Sequence, residues 1–522
     1  MNKNLQTIFH YHETTKHSQQ KYARSLGYMD WASQPNPFRD YKSAEKIVLP
    51  LALNYPTPPY SLLGTSSVPV APLCLESLSQ LLQFSMGIAA WKESGGNSWA
   101  VRCNASSGNL HPTESYIIVP KISELPHADT AIYHYASKEH ALELLASFQS
   151  SFFDTLPKGS FLVGLSSIAW REVWKYGERA FRYVNLDAGH AWQSFVISAQ
   201  MLGWKVTRLE SLHDDAVDTL LGLTQSERFF EEENGDMLFV LSPETVDKNL
   251  QIDALLRKLP KHFEGVANQL SPTMHKWDII PQIIAATHDQ EIPKAQTAAL
   301  HPKRAPSRES KEVVLNRRSV HVMQSDISKL TQEQFHTVLG SVNGSLDGAK
   351  PATHLCIFIH RVDGYKNGLY ILIRNETDKT DLQTLMHNDF LWEQMPLENL
   401  YLLKEDDYTF ASKAISCSQE IASDGAFSLG MLCNFTNELN IYGPYRYKEL
   451  YWECGAVGQQ LYLEATSLGF SGTGIGCFLD DTMHSLLGLK NNRFQILYHF
   501  TVGRGFVDSR ILTKPAYEER AK

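Results

Sequence analysis

Three short stretches of this 522-residue chain carry side chains and backbone suited to a charged, flat ligand. Arg317-Arg318-Ser319 pairs two guanidinium groups with a hydroxyl donor. Arginine's planar, always-charged fork suits phosphate. On its own the pair reads equally well as the solvated basic end of a helix. Gly472-Thr473-Gly474-Ile475-Gly476 is a glycine run. Backbone without Cβ atoms lets something flat or anionic approach closely, although such a run is more often a structural turn. Ser106-Ser107-Gly108-Asn109 offers small side chains, hydroxyls and an amide. These residue types make turns and can equally hydrogen-bond the edge of a heterocycle.

The elements that must position these groups are partly legible. Val457, Leu461, Ala465 and Leu468 fall on one helix face, and Gly469 stops that helix just before the glycine run. Asp480 and Asp481 are N-cap candidates for the next helix, whose apolar side is Met483, Leu486 and Leu487. The serine turn lies between about Asn104 and Pro112 and feeds a strand at Tyr116–Val119. Further strands are expected at Ile132–Tyr135 and Phe161–Ser166, and helices at about 75–87 and 142–148. Residues 353–373 read as strand-turn-strand.

The chain contains the helix, the turn and the capped helix twice. A shift of 266 positions carries Tyr176-Gly177 onto Tyr442-Gly443, Gly189 onto Gly455, Leu202-Gly203 onto Leu468-Gly469 and Asp214-Asp215 onto Asp480-Asp481, with no gap. So long a match implies a duplicated domain. The copies differ at the glycines, where Thr207-Arg208-Leu209-Glu210 faces Thr473-Gly474-Ile475-Gly476. We expect an N-terminal arm over 1–50, a first domain over 51–245, a linker over 246–310 and a second domain over 311–522. The Pro/Lys-rich end of the middle stretch supports the linker.

A net charge of −9 argues against a general nucleic-acid or membrane surface. Hydrophobic content of 43% and charged content of 20% are ordinary for a globular protein. Seven scattered cysteines without a CxxC pair suggest neither a disulfide framework nor a zinc site. His10, His12, Glu13 and His17 match no familiar ligand spacing, so no metal is expected and the arm reads as packed polar chain. The N-terminus lacks an apolar core region and no run approaches the ~18 residues that span a bilayer. The expected location is the cytoplasm.

Taken together, Arg-x-x-x-Ser-x-Gly-x-x-His-Pro-x-Glu over Arg102–Glu114, KYGER-x-x-R over Lys175–Arg182 and the DAGHA helix resemble the SagB-type branch of the flavin-dependent nitroreductase superfamily. The arm motifs YHETTKHS and ARSLGYMDWASQPNPFRDY are similar to that branch as well. RRSVH at Arg317–His321, the GTGIG loop and a C-terminal basic residue, Arg510, supply the superfamily's other signatures. The resemblance implies an α+β fold built as a tight dimer with FMN in the groove between subunits. It assigns the RRS helix, glycine loop and C-terminal basic residue to one subunit, and the serine loop and Lys-Tyr segment to the other.

Sorted by that rule, Arg317, Arg318, Ser319, His321, Gly474, Ile475, Gly476 and Arg510 fall in the second domain. Ser106, Ser107, Gly108, Asn109, Lys175 and Tyr176 fall in the first. The two sets complement each other and would build one FMN site inside an internal pseudo-dimer. The opposite site would need an RRS that domain one lacks, a glycine loop that reads Arg208-Leu209-Glu210, and a serine loop that reads GAKPATH. One flavin per chain is therefore expected. Ala105 stands where the family has proline, and His321 where it has a second basic residue. The resemblance makes Lys175 and Tyr176 the catalytic pair, moving a proton while the flavin takes a hydride. Both have high reference pKa values, so a base needs a lowered pKa, or else the role is that of an acid.

The expected function is an FMN-dependent oxidoreductase acting on a small-molecule or peptide substrate, such as a peptide azoline. The alternatives are an NAD(P)H-dependent nitro or quinone reductase, with NAD(P)H as co-substrate, and a non-catalytic flavin-binding partner in a peptide-modifying complex. No nucleic-acid or membrane partner is expected, and further oligomerisation is left open.

Overall fold

The computed structural model describes residues 2–210, 212–288, 308–346 and 349–520. Two seven-stranded antiparallel sheets dominate it. The first runs Glu45–Val48, Ala141–Phe148, Thr130–Ala136, Thr113–Val119, Phe161–Ser167, Asn234–Ser242, Lys205–Arg208. The second runs Glu393–Gln394, Leu400–Glu405, Gly368–Leu372, Thr353–Ile359, Phe427–Cys433, Gln495–Gly503, Ser471–Ile475. Apart from the first edge strand, which the arm supplies in one sheet and a hairpin in the other, the six remaining strands correspond in order, and Phe161–Ser167 and Phe427–Cys433 are separated by the same 266 positions as the sequence repeat. The fold is α+β, with two copies of one domain.

The copies meet along two 22-residue helices, Ala180–Met201 and Arg446–Ser467. A Cβ at Gly189 would collide with the backbone carbonyl of Trp452, and one at Gly455 with that of Leu186. These glycines are repeat equivalents, and each lets the partner backbone approach closely. Around the crossing, Gln193 Nε2 donates to Gln460 Oε1 at 2.8 Å and Trp452 Nε1 to Asn185 Oδ1 at 3.1 Å.

Each long helix also clamps a short helix of the other domain, Asp214–Leu221 or Asp480–Leu487; the aspartates expected as N-caps are instead the first helical residues, after His213 and Leu479, and bind across the domain boundary. Arg182 Nη1 donates to Asp480 Oδ1 at 2.8 Å, and its repeat equivalent Lys448 reaches Asp214 Oδ2 at 2.7 Å. All four side chains are buried. Opposite charges so placed stabilise each other where water cannot screen them. The helix Lys3–Thr14 ends inside the first clamp, where Thr15 accepts from Arg179 and Arg182. The helix Ile279–Thr287 ends beside the second, with His288 next to Asp214.

The stretch expected to link the domains is therefore structured over 246–288. It holds the helices Asp253–Leu256 and Ile279–Thr287, and Val266–Ala267 pairs with Tyr41–Lys42 of the arm. Residues 289–307 of that stretch lie outside the described residues. The expected helix near 142–148 is instead the strand Ala141–Phe148, paired on both edges. Its apolar spacing fits either period, and the sheet's ladder decides it. At the C-terminus, Leu512–Pro515 adds a strand to Ile88–Ser94 of domain one, and Tyr517 OH donates to Ser137 O at 2.7 Å. No helix of the described residues is long and apolar enough to cross a membrane.

Candidate flavin site between the domains

The serine turn leaves the strand Asn97–Arg102 with left-handed backbone at Gly108, Asn109 and His111. Glycine and asparagine tolerate that conformation best. Two long-helix side chains fix the turn. Asp187 accepts from Ser107 N at 2.9 Å and Ser107 Oγ at 2.9 Å. Burial pushes its carboxyl up to about 7, against the hydrogen bonds from Ser106 and Ser107. From the other domain, Gln459 Oε1 accepts from Ala105 N at 3.1 Å and Nε2 donates to Cys103 O at 3.4 Å. His190 lies 3.2 Å from both Gln459 Oε1 and Tyr498 OH, and burial drops it to about 3.

Lys175 and Tyr176 end the helix Ala169–Tyr176. Their tips frame Gly108: a Cβ there would lie 3.0 Å from Lys175 Nζ and 2.7 Å from Tyr176 OH. The Tyr176 ring sits 4.5 Å, centroid to centroid, from Tyr183. Tyr183 OH in turn donates to Gly476 O at 3.0 Å. A continuous line of contacts thus joins the serine turn, the Lys-Tyr pair and the glycine loop across the domain boundary. Burial, then the charge of Glu172, holds the Tyr176 hydroxyl well above its ordinary range. It stays protonated at neutral pH. Glu172, one turn earlier, has both carboxyl oxygens buried without a hydrogen-bond partner, and burial pushes its pKa well up.

In domain two, Ser319 Oγ pairs with Tyr462 OH at 2.7 Å, and Gly474 N–H donates to the same hydroxyl at 2.8 Å. Thr473 Oγ1 accepts from Val320 N at 3.0 Å. The RRS segment and the glycine loop are thereby one unit. The glycines at 474 and 476 are required by packing, because a Cβ would strike Tyr498 at the first and Tyr183 at the second. The amide of Gly474, expected to face a ligand, is occupied by Tyr462.

Arg317 crosses to domain one. Its Nε donates to Cys103 O at 2.8 Å and Nη2 to Arg102 O at 2.9 Å, and its guanidinium lies 5.2 Å from the Tyr462 ring centroid. Nη1 is buried without a partner. Arg318 donates to the carbonyls of Leu315 and Arg317, both at 2.7 Å. Burial, then Arg317, brings Arg318 down to about 10, and burial, then Arg318, lowers Lys92. Lys92 Nζ donates to Thr513 Oγ1 at 2.6 Å. The adjacent guanidinium groups of Arg317 and Arg318, with one orphaned buried N–H, fit a phosphate-bearing group such as FMN.

Two expected residues stand apart. Arg510 is exposed and bound to Asp508 at 2.7 Å. His321 is exposed. Another basic residue of this region, Arg504, just after the strand Gln495–Gly503, donates its guanidinium to Gly469 O and covers the Phe470 ring at 4.0 Å. Sequence reasoning did not single out Asp187, Tyr183, Glu172, Tyr462, Gln459 or Lys92. The repeat carried two signals: Gln459 falls on Gln193, and Glu453 on Asp187, the latter two both acidic and each accepting from a turn, Glu453 at Ala352 N (3.1 Å).

The repeat-equivalent space on the other side is a pocket lined by Trp192, Arg208, Pro351, Arg374, Glu449 and Trp452, among others. Arg208 stands where Gly474 stands opposite. Its Nη1 donates to Glu449 Oε1 at 2.8 Å, and it lies 5.6 Å and 5.9 Å from the Trp192 and Trp452 ring centroids.

The Nitroreductase family model matches residues 72–230 and 368–504, one segment in each domain. A Methanocaldococcus jannaschii protein named as a nitroreductase is 24% identical over 166 residues, 30% of this chain and 77% of its own length. A solved structure from Anabaena variabilis, also named as a nitroreductase, superposes with a TM-score of 0.71 at 20% identity, covering 96% of this chain and 99% of that one. The Escherichia coli microcin synthetase McbBCD complex with truncated pro-MccB17 reaches a TM-score of only 0.27 at 17% identity, over 47% of this chain and 94% of that one. With more than half its length matched, and both halves matched separately, this chain belongs to the nitroreductase family.

Proposed function

We propose that this chain is an FMN-dependent oxidoreductase with one flavin site between its two domains, and that its chemistry is of the SagB-type dehydrogenase kind. The observation that carries the reading is the contact line Gly108–Tyr176–Tyr183–Gly476, which gathers elements of both domains, with Arg317 joined to the same glycine loop through Tyr462. FMN held there would supply the two-electron acceptor.

The chain's own residues do the rest. Arg317 Nη1 and Arg318 would hold the phosphate, with Ser319 as a hydroxyl donor and Lys92 as a further cation once released from Thr513. The turn Ser106–Asn109, held by Asp187 and Gln459, fixes one edge of the cleft. Tyr176 keeps its proton and orients the substrate by donating a hydrogen bond. Lys175 Nζ beside it is assigned the proton that leaves when a carbon–heteroatom ring is oxidised, a base role that requires the bound substrate and flavin to make the ammonium give up its own proton first. A peptide azoline, which loses two hydrogens to become an azole, suits that arrangement. The test is to incubate the purified protein with azoline peptides and follow loss of two hydrogens by mass spectrometry. Loss that disappears in Lys175→Ala supports the reading. Oxidation of NADH with a quinone and none of the azoline would favour the reductase instead.

A further inference from the structure

We propose that Cys417 and Cys477 form a thiol–disulfide exchange site built into the glycine loop, with a small dithiol or glutathione-type thiol as its reductant. The inference rests on the flavin reading only for its consequence, not for the exchange itself. Cys477 follows Gly476 directly and is bonded to Cys417, which lies 60 residues earlier with its Cα 5.9 Å away. Both are half-buried, whereas four of the five remaining cysteines are fully buried. The bonded pair is thus open to a solvent-borne thiol, which exchange requires.

Cys417 and Ser418 both hold left-handed backbone, at φ 55° and 61°, so the segment presenting Cys417 is fixed in a conformation that side chains other than glycine rarely adopt. Gln419 Nε2 ties that segment to the loop by donating to Cys477 O at 3.2 Å. His17 Nδ1 lies 3.5 Å from Cys477 Sγ. The imidazole is anchored because its backbone N–H donates to Asp480 Oδ2 at 2.9 Å. Burial, then Arg179, brings His17 to about 3, so the ring is neutral at pH 7 and can accept a hydrogen bond from the Cys477 thiol without taking its proton, which comes from solvent.

The step balances as follows. A reductant thiolate attacks Cys417 Sγ. The Sγ–Sγ bond breaks, and the Cys477 sulfur leaves with the bonding pair and takes up a proton. A second reductant thiolate then attacks the mixed disulfide, Cys417 is released and protonated, and the reductant leaves as its own disulfide. Two electrons and two protons have moved to the protein. The loop between Ile475 and Asp480 then loses its covalent tie to Cys417, leaving Tyr183, Arg179, Gln419 and the Leu479 N–H bond to Ile415 O to hold it.

The experiment uses the full chain without denaturant. Protein is equilibrated with reduced and oxidised glutathione in varied ratio, trapped with iodoacetamide, and read by peptide mass spectrometry. FMN affinity is measured in parallel on the fully oxidised and fully reduced forms. We expect Cys417 and Cys477 to convert together and reversibly while the buried cysteines stay unlabelled. Reduction should weaken FMN binding about fivefold, the low end of ordinary site coupling, and Cys417→Ser should bind FMN like the reduced form under both conditions. A pair that stays bonded in reduced glutathione, or one that never forms in oxidised glutathione, overturns the proposal. So does about one zinc retained per reduced chain, which would make His17, Cys417 and Cys477 a metal site. Reversible exchange in a chain that binds no FMN would sink the flavin reading and leave the exchange site standing.

Discussion

Arg317 aims two N–H groups at carbonyls of the other domain and leaves Nη1 buried and unpaired. An unpaired buried charged donor is costly, and a phosphate oxygen would satisfy it. A charged hydrogen bond contributes about 1.5–3 kcal/mol. Arg317→Ala should therefore weaken FMN binding roughly 10- to 100-fold, measured by quenching of flavin fluorescence. Arg510→Ala should leave it unchanged, because that guanidinium stays on the surface with Asp508. The sequence marked Arg510 by type and by position near the C-terminus. It held the contrary signal too, an aspartate two residues earlier. Asp187 yields a pH prediction. Its carboxyl titrates at about 7 folded and near its ordinary value of 3.8 unfolded. The folded state thus binds the extra proton between those values, and stability falls as pH rises from about 4 to 7. Asp187→Asn retains an acceptor for Ser107 and removes the titration. Thermal unfolding of the variant should show a flatter loss of Tm across that window.

The paired helices Ala180–Met201 and Arg446–Ser467 cross where neither can carry a Cβ. The atoms in the way are backbone carbonyls, which cannot rotate aside. Gly455→Ala should cost about 1–3 kcal/mol or more by forcing the helices apart, seen as a lower urea midpoint by circular dichroism. Asp480→Ala leaves Arg179 and Arg182 without their buried partner and should cost about 3–5 kcal/mol in the same assay. Both features were legible as repeats: Gly189 and Gly455, Asp214 and Asp480 fell in register at once. What they touch was not, because a repeat gives equivalence and not distance. The strand Ala141–Phe148 was misread as helix since leucines at 142, 144 and 145 satisfy more than one period. The helix Ile279–Thr287 was read into a linker because the polar stretch after it dominated the composition.

At the scale of the whole chain, duplication gives two equivalent interdomain regions that differ in their side chains, and the proposed flavin site lies in one of them. On that side lie a serine turn, a Lys-Tyr pair, a glycine loop and the Arg317-Arg318 pair. On the other side Arg208 and Glu449 pair between Trp192 and Trp452. The asymmetry was readable from the sequence, since Thr207-Arg208-Leu209-Glu210 faces the glycines in register. The Cys417–Cys477 bond was not, because residues 60 apart with no spacing motif meet only through the sheet and its flanking helices. The central claim is that both domains contribute to a single cofactor site. The measurement that tests it most directly is FMN released per chain from the purified, flavin-saturated protein, repeated for Arg317→Ala and Ser107→Ala in separate domains. About one FMN per chain, weakened by each substitution, is the expected result. Two per chain, or none after adding FMN, or one that ignores either substitution, would contradict it.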